Sequence, residues 1–138
     1  MNRFLLIVMF AFALTSCSST NTATLDGPGQ ATLNVKATNQ GYDASTYEVP
    51  AGANVTVHFT NDAPEPHVFA VLKQGEHVKP PFQVKDEDKI MWKITAQTGE
   101  TRSDIFKAPT EPGEYDIICP FPGHLEYGMK ATLVVKEQ

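Results

Sequence analysis

The segment from Cys119 to Met129 holds three side chains that bind soft metal ions, and they are evenly spaced. Four residues separate Cys119 from His124, and four more separate His124 from Met129. A thiolate and a thioether favour copper(I), whereas an imidazole accepts either oxidation state of copper. The spacing therefore predicts that one short loop supplies most of the ligands of a copper site.

The predicted site needs a second histidine from elsewhere in the chain. Two His and one Cys in a plane, with a weak axial Met, form the ligand set of blue-copper electron-transfer sites. His67 is the natural choice, because it follows Pro64-Glu65-Pro66 and proline restricts the direction of the backbone. His58 and His77 remain alternatives. His58 alternates out of phase with the apolar residues of its strand, and His77 lies in a stretch with no clear pattern.

Other interpretations of this pattern explain fewer of its residues. A space-filling Cys119, or a nucleophilic Cys119 with His124 as its base, leaves Met129 without a role. Methionine is a poor ligand for zinc, and a structural zinc site would use more Cys or His. A dinuclear copper centre needs a second cysteine in the loop, and a multicopper oxidase needs more than the four histidines present. A mononuclear copper site is therefore favoured.

Short β-branched segments separated by turn residues predict an all-β domain. No apolar run keeps the helical period over the length of a helix, and seven or eight strands at this spacing are typical of a two-sheet sandwich. We expect residues 73–88 to form a long excursion with a short helical turn and a solvated acidic run at 86–88. The predicted strands are 31–38, 46–49, 54–61, 67–72, 89–95, 102–106, 113–119 and 129–136.

The chain begins with the pattern of a bacterial lipoprotein signal. Arg3 is followed by an apolar stretch from Phe4 to Leu14, whose 11 residues fall short of the roughly 20 that cross a bilayer as a helix. The next residues, Thr15-Ser16-Cys17, complete a segment that resembles a lipobox, in which the cysteine is lipidated. Residues 1–16 are predicted as the signal peptide, 17–30 as the lipidated cysteine and a flexible tether, and 31–138 as the domain.

These features predict an extracytoplasmic, periplasmic lipoprotein held at a membrane through Cys17. Ser18 after the cysteine favours the outer membrane if the host has two membranes. The 138 residues, 41% hydrophobic and 20% charged, suit one globular domain. A net charge of −5 makes nucleic acid a poor candidate partner.

The segments around the predicted ligands resemble the cupredoxin family of small blue-copper proteins. Residues 119–124 are similar to the ligand loop of azurins, and the Gly128-Met129 pair resembles that of auracyanins and plastocyanins. Residues 47–61 resemble the strands that lead to the first copper histidine. The resemblance covers most of residues 31–136. It implies a Greek-key β-sandwich with one copper ion that cycles between Cu(I) and Cu(II), in an electron carrier rather than an enzyme.

The resemblance also implies roles for individual residues. Pro66 would precede the first ligand, and the backbone N–H groups of Val68 and Phe121 would donate to the cysteine sulfur. Many family members have asparagine directly after the first histidine, where it ties the two ligand loops together. This chain has Val68 there, so the tie must come from elsewhere. The four implied ligands are His67, Cys119, His124 and Met129, with Met129 in the axial position.

An apolar collar is expected around an exposed ring edge of His124. Such a surface suits brief redox encounters, whose interfaces bury less than about 1,200 Å². Its expected members are Pro64, Pro66, Phe121, Pro122 and Leu125. The expected partners are a cytochrome, a membrane redox complex or a copper enzyme, with this chain acting as a monomer. The alternative is a lipid-anchored copper chaperone or sequestration protein without redox cycling. It fits less well, because copper traffickers use clusters of methionines and Met129 is isolated.

Overall fold

The computed structural model describes residues 18–137, which form two β-sheets packed face to face. A short 3₁₀ helix, Val84–Lys89, lies between the seventh and eighth strands. The strands are β1 (Thr20–Thr22), β2 (Thr24–Gly27), β3 (Gln30–Thr38), β4 (Gly41–Tyr42), β5 (Thr46–Pro50), β6 (Asn54–Asn61), β7 (His67–Leu72), β8 (Ile90–Ala96), β9 (Thr101–Lys107), β10 (Gly113–Ile118) and β11 (Lys130–Lys136).

Neighbouring strands of each sheet are mostly distant in sequence. The larger sheet has the order β1-β5-β11-β10-β7-β8, and the smaller one has the order β2-β3-β6-β9, with β4 also paired to β3. β1, β5 and β11 run parallel to one another, whereas β11, β10, β7 and β8 pair antiparallel in turn. The expected all-β Greek-key sandwich is confirmed.

Alternation of apolar and polar residues explains why these segments are strands. In β6, Val55, Val57 and Phe59 are fully buried while the residues between them are only half-buried. The same alternation holds in β3 and β5, so the inner faces of both sheets supply the core. All eight predicted strands are present, each bounded within one residue of its predicted ends. Three short strands, β1, β2 and β4, were not predicted.

The structure differs from the sequence prediction at the expected tether. Within residues 17–30, β1 pairs parallel with β5 and β2 pairs antiparallel with β3. Most side chains of this segment are polar, and of its described residues Ala23 alone is buried, which is why the composition indicated a flexible chain. Its backbone nevertheless pairs with exposed sheet edges, and its threonines suit strands. Only Ser18 and Ser19 of the described residues precede β1.

The long excursion between β7 and β8 is closed at its base by a backbone bond from Lys73 N–H to Lys89 O at 2.8 Å. The expected helical turn is present as the 3₁₀ helix. The acidic run is not wholly solvated, as was expected, because Asp86 is 5% exposed. Its carboxylate accepts from the backbone N–H of Gln83 and pairs with Lys89 at 3.1 Å, so it caps the helix.

The predicted signal peptide and the lipidation site at Cys17 lie outside the described residues, and the predicted domain boundaries stay predictions. No helix within residues 18–137 has the length and hydrophobicity to cross a membrane.

A buried asparagine at the end of β6 holds the loop that leads into β7. Asn61 is 0% exposed, and its side-chain amide donates to Glu65 O at 2.7 Å and to Ala96 O at 3.1 Å. Its side-chain oxygen accepts from Ala63 N–H at 2.9 Å. One side chain therefore satisfies three backbone groups and fixes the path of the chain just before His67.

Replacing this asparagine is expected to destabilise the fold. Asn61→Ala leaves buried backbone groups without partners, so the free energy of unfolding should fall by about 2–3 kcal/mol. Denaturant unfolding followed by circular dichroism measures the change. The matched control is Asn34→Ala on the exposed face of β3, which should stay within about 0.5 kcal/mol of the parent protein. Equal losses in the two variants would contradict the role given to Asn61.

Candidate metal centre

The pairing of β7 with β10 brings His67 next to Cys119, although 52 positions separate them in sequence. His67 is the first residue of β7, and Cys119 directly follows β10. The register places Ile118 opposite Ala70, so the end of β10 and the start of β7 lie at the same end of the sheet. There the Nδ1 atom of His67 lies 3.9 Å from Cys119 Sγ.

The loop between β10 and β11 returns His124 to the same sulfur. Backbone bonds close the loop, from Cys119 N–H to Met129 O at 3.2 Å and from Met129 N–H to His124 O at 2.9 Å. Gly128 adopts φ +86°, a left-handed conformation that favours glycine, and so allows the chain to turn back. As a result, His124 Nδ1 lies 3.3 Å from Cys119 Sγ.

The structure thus brings together the four residues predicted as ligands. The donor atoms of His67, Cys119 and His124 all lie within 4.8 Å of one another, and all three residues are buried. Met129 is 6% exposed and lines, with both histidines, one cavity of about 360 Å³. His58 instead contacts Ser103, and His77 contacts Asp116. Of the histidine alternatives, His67 is the one that reaches the cysteine.

Burial sets the protonation of these donors. It raises the pKa of the Cys119 thiol, and the backbone N–H groups of Val68 and Phe121 partly oppose that rise. The Val68 N–H lies 3.4 Å from the sulfur. Burial lowers the pKa of His67 and His124 lowers it further, while the Glu65 carboxylate partly opposes this shift. This shift favours the neutral form of His67, which offers a lone pair to a metal, and Cys119 would bind a metal as a thiolate after giving up its proton.

The donor set fits copper. One sulfur and two imidazole nitrogens converge beside the buried thioether of Met129. Copper prefers such soft and intermediate ligands, whereas magnesium and calcium prefer oxygen ligands. Among the described residues, His67 Nε2 has no hydrogen-bond partner. No hydrogen bond through this nitrogen therefore holds the ring away from a metal beside Cys119. The imidazole rings of His67 and His124 pack against each other with their centroids 4.6 Å apart.

The structure corrects the expected collar at Leu125. This side chain is 6% exposed and belongs to the hydrophobic core, where it lines a depression with Val78 and Ile118. The turns that return the loop direct Leu125 inward, so it offers little surface to a partner. Pro64 and Pro122 are exposed as expected, and Pro66 is half-buried.

The edge of His124 is also less open than expected. The residue is 8% exposed, and its Nε2 lies 3.1 Å from the Glu65 carboxylate. Phe121 packs against the same ring with centroids 4.9 Å apart. The side chains of Glu65 and Phe121 therefore cover the edge of the His124 ring that was expected to be exposed.

Sequence reasoning missed three residues that organise this centre, namely Tyr42, Asn61 and Glu65. The Tyr42 hydroxyl donates to Val68 O at 2.6 Å and so holds the strand whose N–H reaches the sulfur. The one signal that could have pointed to Glu65 is its place between two prolines directly before His67. Nothing in the spacing showed that its carboxylate would reach the second ligand loop.

Comparison with known proteins agrees with this geometry. The family model of the Sulfocyanin (SoxE) domain matches residues 13–138. The chain belongs to this family of cupredoxins. The cofactor of the family is one copper ion, in agreement with the donor set of this cupredoxin domain.

Curated relatives of this sulfocyanin-family domain match over part of their lengths. Rusticyanin of Acidithiobacillus ferrooxidans is 35% identical over 101 residues, covering 66% of this chain and 60% of the relative. Sulfocyanin of Sulfolobus acidocaldarius is 27% identical over 95 residues, covering 62% and 48%. Auracyanin-B of Chloroflexus aurantiacus is 46% identical over 46 residues, covering 33% and 19%. The chain therefore spans less than two thirds of the length of each.

Solved structures support the same fold for this cupredoxin. The dithionite-reduced auracyanin of Roseiflexus castenholzii has a TM-score of 0.64 at 27% identity, covering 76% of this chain and 96% of its own. Auracyanin A of Chloroflexus aurantiacus, described as a "blue" copper protein, has a TM-score of 0.63 at 26% identity, covering 78% and 99%.

Proposed function

We propose that the protein is a mononuclear blue-copper electron carrier, anchored by lipid and shuttling single electrons between extracytoplasmic redox partners. The observation that carries the proposal is the buried convergence of Cys119 Sγ with the Nδ1 atoms of His67 and His124. Bound copper would supply a one-electron couple that no side chain provides. Cys119, His67, His124 and Met129 would hold the ion.

The chain's own contribution would be a ligand set that its loops hold in place. The backbone bonds of the ligand loop fix Met129 and His124 relative to Cys119. The N–H groups of Val68 and Phe121 stabilise negative charge on the sulfur and so tune its donation. Burial keeps bulk water from the donors. Little rearrangement would therefore accompany the gain or loss of an electron.

The alternative, copper delivery or sequestration without redox cycling, is less well supported. A protein that hands over its metal must expose ligands to an incoming competitor. Here Cys119 is 0% exposed, His67 5% and His124 8%. These values favour retention of the ion over transfer.

Copper binding is the first test. Adding one equivalent of copper(II) to residues 18–138 should produce an intense visible band from the Cu–thiolate bond, which bleaches with ascorbate and returns with an oxidant. Cys119→Ser should lose the band, whereas Met91→Leu, a control at a partly exposed methionine of β8, should keep it. Visible and electron paramagnetic resonance spectra measure both. A band that does not return, or copper lost on reduction, would favour storage or transport instead.

We call the end of the sandwich that holds His67, Cys119 and His124 the metal end. An exposed apolar surface around it would serve for docking. Pro64 and Pro122 are exposed there, and with Tyr127 they line the same cavity as His124. Tyr127 is 92% exposed and Phe121 36%. We define Pro64, Phe121, Pro122 and Tyr127 as the docking patch. It replaces the expected collar, from which Leu125 is removed.

A charge in the docking patch should slow electron transfer without changing the copper spectrum. Tyr127→Asp places a carboxylate on the face that meets a partner, so electron self-exchange between two copies should slow by about tenfold through like-charge repulsion. Line broadening in nuclear magnetic resonance spectra of mixed-redox samples measures the rate. Val84→Asp makes a similar change at a 90% exposed position outside the patch and should leave the rate unchanged. Equal rates in both variants would remove the patch from the proposal.

The strand register bears on how an anchored domain would face the membrane. Thr20 lies level with Thr46, and Thr46 with Thr132, two residues beyond the start of β11. Because β1 runs parallel to β11, the chain approaches the level of Met129 as it is followed back from Thr20 to Ser18. Lipidation at Cys17 would therefore hold the metal end near the membrane. This arrangement supports a membrane redox complex among the candidate partners.

Lipid anchoring is tested by one substitution. The full chain expressed in a bacterial host should sediment with membranes and resist a high-salt wash, because an acyl chain partitions into the bilayer. Cys17→Ser should release it to the soluble extracytoplasmic fraction, while Ser18→Ala should remain bound. Immunoblots of the fractions measure the distribution. A Cys17→Ser protein that stays in the membrane fraction would contradict the anchor.

A further inference from the structure

A carboxylate covers the outer nitrogen of one predicted copper ligand. Glu65 Oε2 lies 3.1 Å from His124 Nε2, across 59 positions of sequence. The His124 side chain is 9% exposed, whereas that of Glu65 is 60% exposed. The opposite nitrogen of the same ring, Nδ1, lies 3.3 Å from Cys119 Sγ. One imidazole therefore bridges a surface carboxylate and the buried sulfur.

The contact decides which nitrogen carries the proton. A neutral imidazole has one N–H donor and one lone pair, and a carboxylate accepts but does not donate. Donation from Nε2 to Glu65 leaves the lone pair on Nδ1, which is the nitrogen that faces the sulfur. The bond therefore selects the tautomer that a metal beside Cys119 requires.

The backbone of Glu65 is held firmly, although its carboxylate reaches the surface. The residue lies between Pro64 and Pro66, and its carbonyl oxygen accepts from the buried Asn61 amide at 2.7 Å. A short, restrained loop thus positions the carboxylate over His124. The same contact joins the loop before β7 to the loop after β10, a link that residue 68, a valine, cannot supply through its side chain.

We propose that Glu65 is a positioning residue of the copper centre, which fixes the His124 ring through Nε2 and favours copper(II) through its negative charge. The proposal rests on the proposed function, because it takes His124 as a ligand. Copper(II) carries one more positive charge than copper(I), so a nearby carboxylate stabilises it more. Hydrogen-bond partners behind metal ligands typically change metal affinity by 10–100-fold. Solvent exposure of Glu65 screens its charge, which places the effect near the lower limit.

Two substitutions separate the hydrogen bond from the charge. Glu65→Gln keeps an acceptor but removes the charge, and Glu65→Ala removes both. The matched control is Glu126→Gln, which removes the same charge from an exposed position of the ligand loop. All four proteins are loaded with copper(I), which is diamagnetic, and the His124 Nε2–H signal is followed in proton–nitrogen correlation spectra. Copper(I) and copper(II) affinities are measured by competition with chelators, and reduction potentials by electrochemistry.

The two effects of Glu65 predict different patterns. The Nε2–H signal should be slow to exchange with water in the parent, Glu65→Gln and Glu126→Gln proteins, and should be lost in Glu65→Ala. Copper(II) affinity relative to copper(I) should fall about tenfold in both Glu65 variants, a rise in potential of about 59 mV for one electron. Glu126→Gln should change this ratio less than threefold.

One outcome would overturn the positioning role of Glu65 alone, and another would overturn the proposed function as well. If the Glu65 variants match Glu126→Gln in affinity ratio and in exchange, the contact does not position the centre. In that case the blue-copper spectrum of every variant still supports the electron carrier. If the parent protein itself shows no Cu–thiolate band, the proposed function fails, and the positioning role fails with it.

Discussion

The metal end depends on the antiparallel pairing of β7 with β10. That pairing sets the register between two segments about fifty residues apart and brings His67 to the sulfur of Cys119. A slip of one residue would turn every side chain of a strand to the opposite face. The alternation in β10 opposes such a slip, because Tyr115 and Ile117 are buried whereas the acidic residues at positions 114 and 116 are not. The energy of core burial therefore maintains the geometry of the donors.

This arrangement places polar donors in surroundings that disfavour their charged forms. The same burial raises the pKa of the Cys119 thiol and lowers that of His67. Binding of a soft metal ion would relieve the conflict, because Cys119 would give up its proton and its thiolate charge would be shared with the ion. The N–H groups that face the sulfur come from residues next to ligands, Val68 beside His67 and Phe121 two positions after Cys119. Folding and metal binding are thus coupled through the same few residues.

Much of the fold was predictable because its signals are local. Alternation of apolar residues and the placement of Gly and Pro identified eight strands within one residue of their ends. The N-terminal strands were missed because their residues bury little, so hydrophobicity carried no signal. They form because sheet edges offer backbone partners, a property of the assembled sheets. Asp86 and Leu125 were expected to be exposed for a related reason, since burial of single loop residues depends on the elements that cover them.

The sequence by itself determined the chemistry of the site. The types and spacing of Cys119, His124 and Met129 are covalent facts of one loop, and they already specify a soft metal. Only the tertiary structure decided which histidine completes the set and what covers it. Both questions concern residues more than fifty positions apart, where the Glu65 carboxylate meets His124 and His67 meets Cys119. Contacts across such distances follow from strand order and register, which no local pattern encodes.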